Sequence, residues 1–127
     1  MQNPNSRISL ASADGILTVK LKGRVDLDLL AEYITQHREA WVQHPCILYD
    51  TLELDLSGVT ADEILQLPES SRETIELRAG GRSAILVKKE FEVIAKYLVV
   101  GYESIDSPVE LRTFLHEEDA VAWLRAI

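Results

Sequence analysis

A single cysteine in 127 residues excludes an internal disulfide, and Cys46 stands in no CxxC or Cys/His spacing that would hold a structural zinc. A reducing compartment fits that usage. No stretch approaches the ~20 apolar residues needed to span a bilayer, so membrane insertion is not expected. Met1-Gln2-Asn3-Pro4-Asn5-Ser6 has no basic run leading into an apolar one, as a secretory leader does. The expectation is cytoplasmic residence, with residues 1–6 flexible ahead of the domain. Cations are scarce as well: 13 Lys and Arg face 21 Asp and Glu, for a net charge of -8. Such a surface repels polyphosphates and anionic lipid, and Lys88-Lys89 is the only adjacent basic pair. Nucleic acid is therefore not an expected partner.

Catalytic and metal signatures are equally thin. His37, His44 and His116 lie far apart with no HExxH-type spacing, so no metal site is expected. No G-x-S-x-G elbow surrounds any serine. Gly80-Gly81 ends a helix ahead of a strand, the reverse of a phosphate-binding loop, where glycines open the helix. Asp50 and Asp55 fall near the carboxyl end of a strand, where open α/β sheets place ligands. No histidine or nucleophile is tied to them by spacing, so no acid/base pair is read from them. The expectation is a protein that is not an enzyme and uses no cofactor. A fold bringing Asp50 or Asp55 against His44 or His116 would revise it.

What the sequence does contain is the patterning of one α/β domain spanning 1–127. Its 46% hydrophobic and 27% charged residues are a globular composition, and its length suits one core. Ile8 and Leu10, then Leu17, Val19 and Leu21, alternate with polar neighbours around Asp14-Gly15, the signature of a β-hairpin. After Gly23 the period changes. Leu30, Tyr33, Ile34, His37 and Trp41 recur at helical steps, with Asp26 as a cap, predicting a helix to about His44 that Pro45 ends. Cys46-Ile47-Leu48-Tyr49 is continuously apolar, as a strand covered on both faces should be.

Thr60-Ala61-Asp62-Glu63 reads as a capping box, in which hydroxyl and carboxylate satisfy each other's backbone amides. Pro68 is expected to break the helix that starts there, with a second part running from about Pro68 to Ala79, and Gly80-Gly81 to end it. Ala84-Ile85-Leu86-Val87 is a further buried strand. A helix over 90–103 follows, then a strand from Val109 to Leu115, and a last helix with Ala120, Val121, Leu124 and Ile127 on its apolar edge. The total is about five strands and four helices, an N-terminal hairpin followed by alternating helices and mostly parallel strands.

The 90–103 helix carries more apolar surface than one core contact requires. Phe91, Ile94, Ala95, Leu98 and Tyr102 form one stripe, and Val93, Tyr97, Val99 and Val100 widen it. Three explanations stand: deeper burial, a homodimer contact, or the wall of a pocket for an apolar small molecule. The candidate dimer or ligand surface comprises Phe91, Ile94, Lys96, Tyr97, Leu98 and Tyr102, with Lys96, Tyr97 and Tyr102 as its polar rim.

The element order, with an apolar third strand leading to Asp55-Leu56-Ser57-Gly58-Val59, resembles the STAS domain, the fold of sporulation anti-sigma-factor antagonists. The C-terminal half resembles the SpoIIAA-like group, which includes distant relatives of CRAL-TRIO lipid-binding domains. The matching pieces there are Ser83 to Val87, the helix ending near Tyr102-Glu103, Phe114, and Glu118-Asp119-Ala120 leading to Ala122-Trp123-Leu124. The resemblance covers roughly Ile8 to Leu124 and implies a STAS-like (SpoIIAA-like) fold with a regulatory, protein-interaction role. The CRAL-TRIO likeness implies lipid or apolar-ligand binding as the alternative.

In the antagonists an Asp-Ser-Ser-Gly signature presents a phosphorylated serine at a helix start. Here Asp62 matches the aspartate and Glu63 falls at the phosphoacceptor. The implied regulatory surface is Ser57, Thr60, Asp62 and Glu63, without the phosphorylation switch.

Overall fold

Period-two alternation forms the hairpin. In a computed structural model that describes residues 7–126, β1 (Ile8–Ala13) and β2 (Ile16–Gly23) pair antiparallel, from Ile8 opposite Leu21 to Ala13 opposite Ile16. The turn residues Asp14 and Gly15 both take positive φ, 54° and 81°, the backbone hand that matches the twist of the flanking strands. The expected flexibility of residues 1–6 and the place of Ile127 lie outside the described residues.

Three more strands join in sequence order, β3 (Cys46–Leu54), β4 (Arg82–Leu86) and β5 (Glu110–Phe114), giving the order β1-β2-β3-β4-β5 with β2 to β5 parallel. β3 is central and runs five residues beyond the apolar run that announced it. Its far end carries a bulge: Lys20 faces Asp50, but Lys22 faces Glu53. The extra residue lets Thr51 turn inward, where its hydroxyl donates to Leu86 O at 2.8 Å.

Among the described residues six α-helices pack on this sheet, two more than the sequence suggested, because two of the expected helices are each split. The first becomes α1 (Leu27–Gln36) and α2 (Arg38–Val42), parted at His37. The His37 ring stacks on Tyr33, and its Nδ1 and its backbone amide both donate to Tyr33 O. That side-chain competition for a helix carbonyl loosens the turn.

The second becomes α3 (Ala61–Ser70) and α4 (Arg72–Leu77). Here the expectation about Pro68 is corrected: Pro68 lies inside α3, and the break falls at Ser71. Tertiary packing outweighs the missing amide. Pro68 is buried against Gly101, where an added Cβ would meet Pro68 Cγ and Leu65 O at 3.0 Å. Gly80, with φ +86°, ends the segment as expected. A 3₁₀ turn at Lys89–Phe91 leads into α5 (Glu92–Ser104), and α6 (Glu117–Arg125) closes the described chain.

Alternation along the strands sorts the core into two faces. Leu17, Val19, Leu21 and Ile47 pack under Leu30, Tyr33, Ile34 and Trp41 of α1 and α2. Ile85, Val87 and Leu111 pack under Ile75 of α4 and Ala95 and Tyr102 of α5. The opposite face holds Ile16, Cys46, Leu48, Ala84 and Leu86, covered by Ala120 and Leu124 of α6. The sheet is thus heavily clad on one side and covered by one short helix on the other.

Candidate functional site

The carboxyl ends of β2 and β3 release two neighbouring loops, residues 24–26 into α1 and 55–60 into α3. They are tied together where Asp55 N donates to Gly23 O at 2.8 Å. Between them lies a surface cleft of about 720 Å³. Its floor is apolar, formed by Ile8, Val25, Leu27, Val59 and Leu67, and its rim carries Arg7, Arg24, Asp26, Asp28, Asp55 and Glu63.

Each rim group is held by local chemistry. Asp26 caps α1 by accepting from Asp28 N at 2.8 Å. Asp55 accepts from Ser57 N at 2.9 Å and from Arg24 Nε at 3.3 Å. The Ser57 hydroxyl and amide, followed by Arg24, hold the Asp55 carboxyl down at about 2. Thr60 caps α3, accepting from Glu63 N at 3.3 Å and donating its hydroxyl to Glu63 Oε1 at 3.1 Å. Only half of the expected capping box is present, because the Glu63 carboxylate takes the Thr60 hydroxyl proton instead of the Thr60 amide. Arg7 crosses from the start of β1 and donates to Arg24 O.

Ser57, Thr60, Asp62 and Glu63 therefore share one exposed surface, the β3–α3 loop and the first turn of α3. Glu63 lines the cleft. Glu63 occupies a helix-start position and is engaged with its cap.

The acid/base possibility finds no geometry. Asp50 Oδ1 accepts from Leu52 N at 3.1 Å, and neither Asp50 nor Asp55 is hydrogen-bonded to a histidine among the described residues. His44 sits at the opposite end of the sheet, its Nδ1 donating to Ala40 O at 2.6 Å and its Nε2 paired with Ser12 Oγ at 2.8 Å. Among the described residues no group of three or more His, Cys, Asp or Glu could hold a metal ion. No helix of the described residues is long and apolar enough to cross a membrane.

The α5 surface divides. Tyr102 is buried, only 9% exposed, and faces the core instead of an outer rim. Phe91, Ile94 and Leu98 are half-buried, while Lys96 and Tyr97 are exposed. The apolar stripe left uncovered is Val93, Tyr97 and Val100, at 73, 39 and 47% exposure.

Two groups of residues escaped the sequence reading. Arg7, Arg24 and Asp28 reach the cleft from a strand start and a loop, and no local pattern marks them. Ser71, Thr74 and Arg78 are polar residues at inward positions of the α3–α4 segment. Thr74 and Arg78 are each 5% exposed. Their helical spacing alongside Ile75 was a signal that could have been used.

No protein-family model matches the sequence, and no curated protein is significantly similar to it. Solved structures are similar in fold. An uncharacterized protein of the DUF3478 family with a SpoIIAA-like fold, from Shewanella loihica PV-4, is 21% identical, with a TM-score of 0.51 over 92% of this chain and 91% of that one. An anti-sigma factor antagonist from Mycobacterium paratuberculosis is 15% identical, with a TM-score of 0.56 over 93% of this chain and 92% of that one. The fold is STAS-like, of the SpoIIAA-like kind.

Proposed function

We propose, with the STAS-like fold as the premise, that this chain is a non-enzymatic regulatory domain of the cytoplasm. On this reading it works by binding another protein through the cleft beside the β3–α3 loop. The observation that carries this reading is the cleft, an apolar floor with a charged rim at the carboxyl ends of two central strands. It contains no base-activated nucleophile among the described residues. The anti-sigma factor antagonist of the same fold is named for an action on another protein, which supports a protein partner here.

Reversible phosphorylation at the start of α3 is not part of this reading. Glu63 stands at the acceptor position, and the Thr60 hydroxyl is engaged with the Glu63 carboxylate. The rim would discriminate partners by charge, since a mismatched charge at a desolvated contact costs more than a matched one returns.

The test is affinity capture from the native host with wild type and two charge reversals, Asp28→Lys in the cleft and Glu118→Lys on α6. The expected result is one protein retained by wild type and by Glu118→Lys but lost from Asp28→Lys. Equal retention by all three would overturn the cleft as the contact.

A second contact is supported by α5. Val93, Tyr97 and Val100 lie at spacings of four and three, on one helix face, and stay exposed. We infer that this stripe joins two copies of the chain. Sedimentation should show a dimer for wild type and a monomer for Val100→Glu, and a monomeric wild type would remove the inference.

A further inference from the structure

Beneath α1, α3, α4 and α5 lies a second cavity, of about 90 Å³. Its walls are mainly aliphatic and aromatic, including Leu30, Ile75, Ile85 and Leu98. Five hydroxyl groups interrupt them, on Tyr49, Thr51, Ser71, Thr74 and Tyr102. The Thr51 hydroxyl is spent on Leu86 O, and part of the remaining hydrogen-bonding capacity is unused. Ser71 Oγ is buried with no partner within reach. Tyr49 Oη accepts from Trp41 Nε1 at 2.9 Å, and no acceptor takes its own proton among the described residues. Tyr102 is 9% exposed and lines the same cavity.

Buried hydroxyls without partners cost free energy. Natural cores therefore either replace them or give them something to bind. Here the Ser71 hydroxyl stands buried and unpartnered among the described residues beside one cavity, and the Tyr49 and Tyr102 hydroxyls next to it also have protons to donate.

Arg78 adds a sign to the site. Its guanidinium is buried and donates to His44 O, Pro45 O, Arg82 O and Ser83 Oγ. No carboxylate pairs with it among the described residues. Its positive field reaches both phenols. A cation entering the cavity would be repelled, and the negative end of a dipole would be favoured.

We infer that this cavity is a binding site for a very small, largely apolar molecule carrying one hydrogen-bond acceptor, such as a short-chain ketone, whose oxygen accepts from the Ser71 or Tyr102 hydroxyl. The volume admits only a few heavy atoms. It is well below the roughly 150 Å³ of an engineered cavity that holds benzene and far short of an acyl chain. The site is separate from the cleft and does not depend on the partner-binding reading. It would let a metabolite act on the packing of α3 against α5 from within.

Three probes of one shape test the inference: acetone, isobutane and isopropylamine, each titrated into the full chain while methyl and amide NMR shifts are followed. Acetone should shift Ile75, Ile85 and Leu98 saturably and raise the unfolding temperature, and isopropylamine should do neither. Ser71→Ala or Tyr102→Phe should weaken the ketone about tenfold, the worth of one buried hydrogen bond, and leave isobutane unchanged. Ala95→Leu, which fills the cavity, should abolish binding of all probes. If the ketone leaves the cavity residues unshifted, or binds no better than isobutane in wild type, the hydroxyls recruit no acceptor and the inference fails.

Discussion

Asp55 is the residue at which the cleft's electrostatics can be read directly. Its carboxyl is held at about 2, with the Ser57 hydrogen bonds as the larger cause and Arg24 as the smaller. Ser57→Ala should accordingly move its titration toward the ordinary value more than Arg24→Ala does, as NMR titration would show. Because the folded-state value lies below the unfolded one, of about 3.9, ionised Asp55 stabilises the native state above that pH. The contribution fades as pH falls toward 2. The stability difference between wild type and Asp55→Asn, from urea unfolding at a series of pH values, should be constant above pH ~4 and shrink below it. A difference that grows on acidification would reverse the assignment. The Thr60 cap is a short-range motif and was legible in the sequence, whereas the equally local Asp55–Ser57 turn was not read from it. The long-range approach of Arg24 to Asp55 was not legible.

Among the elements, the contact of α3 with α5 is the most demanding. Gly101 allows the helices to meet with Leu65 O and Pro68 Cγ 3.0 Å from the Cβ it does not have. Gly101→Ala should force the pair apart and cost about 1–3 kcal/mol, the usual penalty for overpacking, measured by chemical denaturation. Substitutions two residues apart on α5, on opposite sides of the helix, should separate its two faces. Leu98→Asp places a charge against the core cavity and should unfold the domain or destabilise it strongly. Val100→Glu, on the exposed stripe, should leave stability nearly unchanged while altering association.

This division of α5 was not available from its sequence. Nine apolar or aromatic residues among fourteen positions, 90–103, announce a broad apolar surface. Only the partners of each position decide which part of it is covered. The splits at His37 and Ser71 were missed for a related reason, since both depend on side-chain contacts that interrupt otherwise regular helical spacing.

For the molecule as a whole, the sheet's unequal cladding sets where it is vulnerable. α6 covers its face with two fully buried residues, Ala120 and Leu124. Leu124→Ala should therefore cost about 2–5 kcal/mol, at the upper end if the lone helix cannot settle into the space, and denaturant unfolding would measure it.

By itself the sequence determined the hairpin, the order of strands and helices and the two-faced character of the central strands, each written in hydrophobic period, turn residues and caps acting over a few neighbouring positions. The STAS-like topology was implied by the resemblance of its short motifs to a known family. The tertiary structure alone decided that Arg7, Arg24 and Asp55 share a cleft, that Tyr102 turns inward to line one cavity with Arg78 and Ser71, and that Val93, Tyr97 and Val100 stay uncovered. Those facts depend on which distant segments pack together, and periodicity carries no information about that.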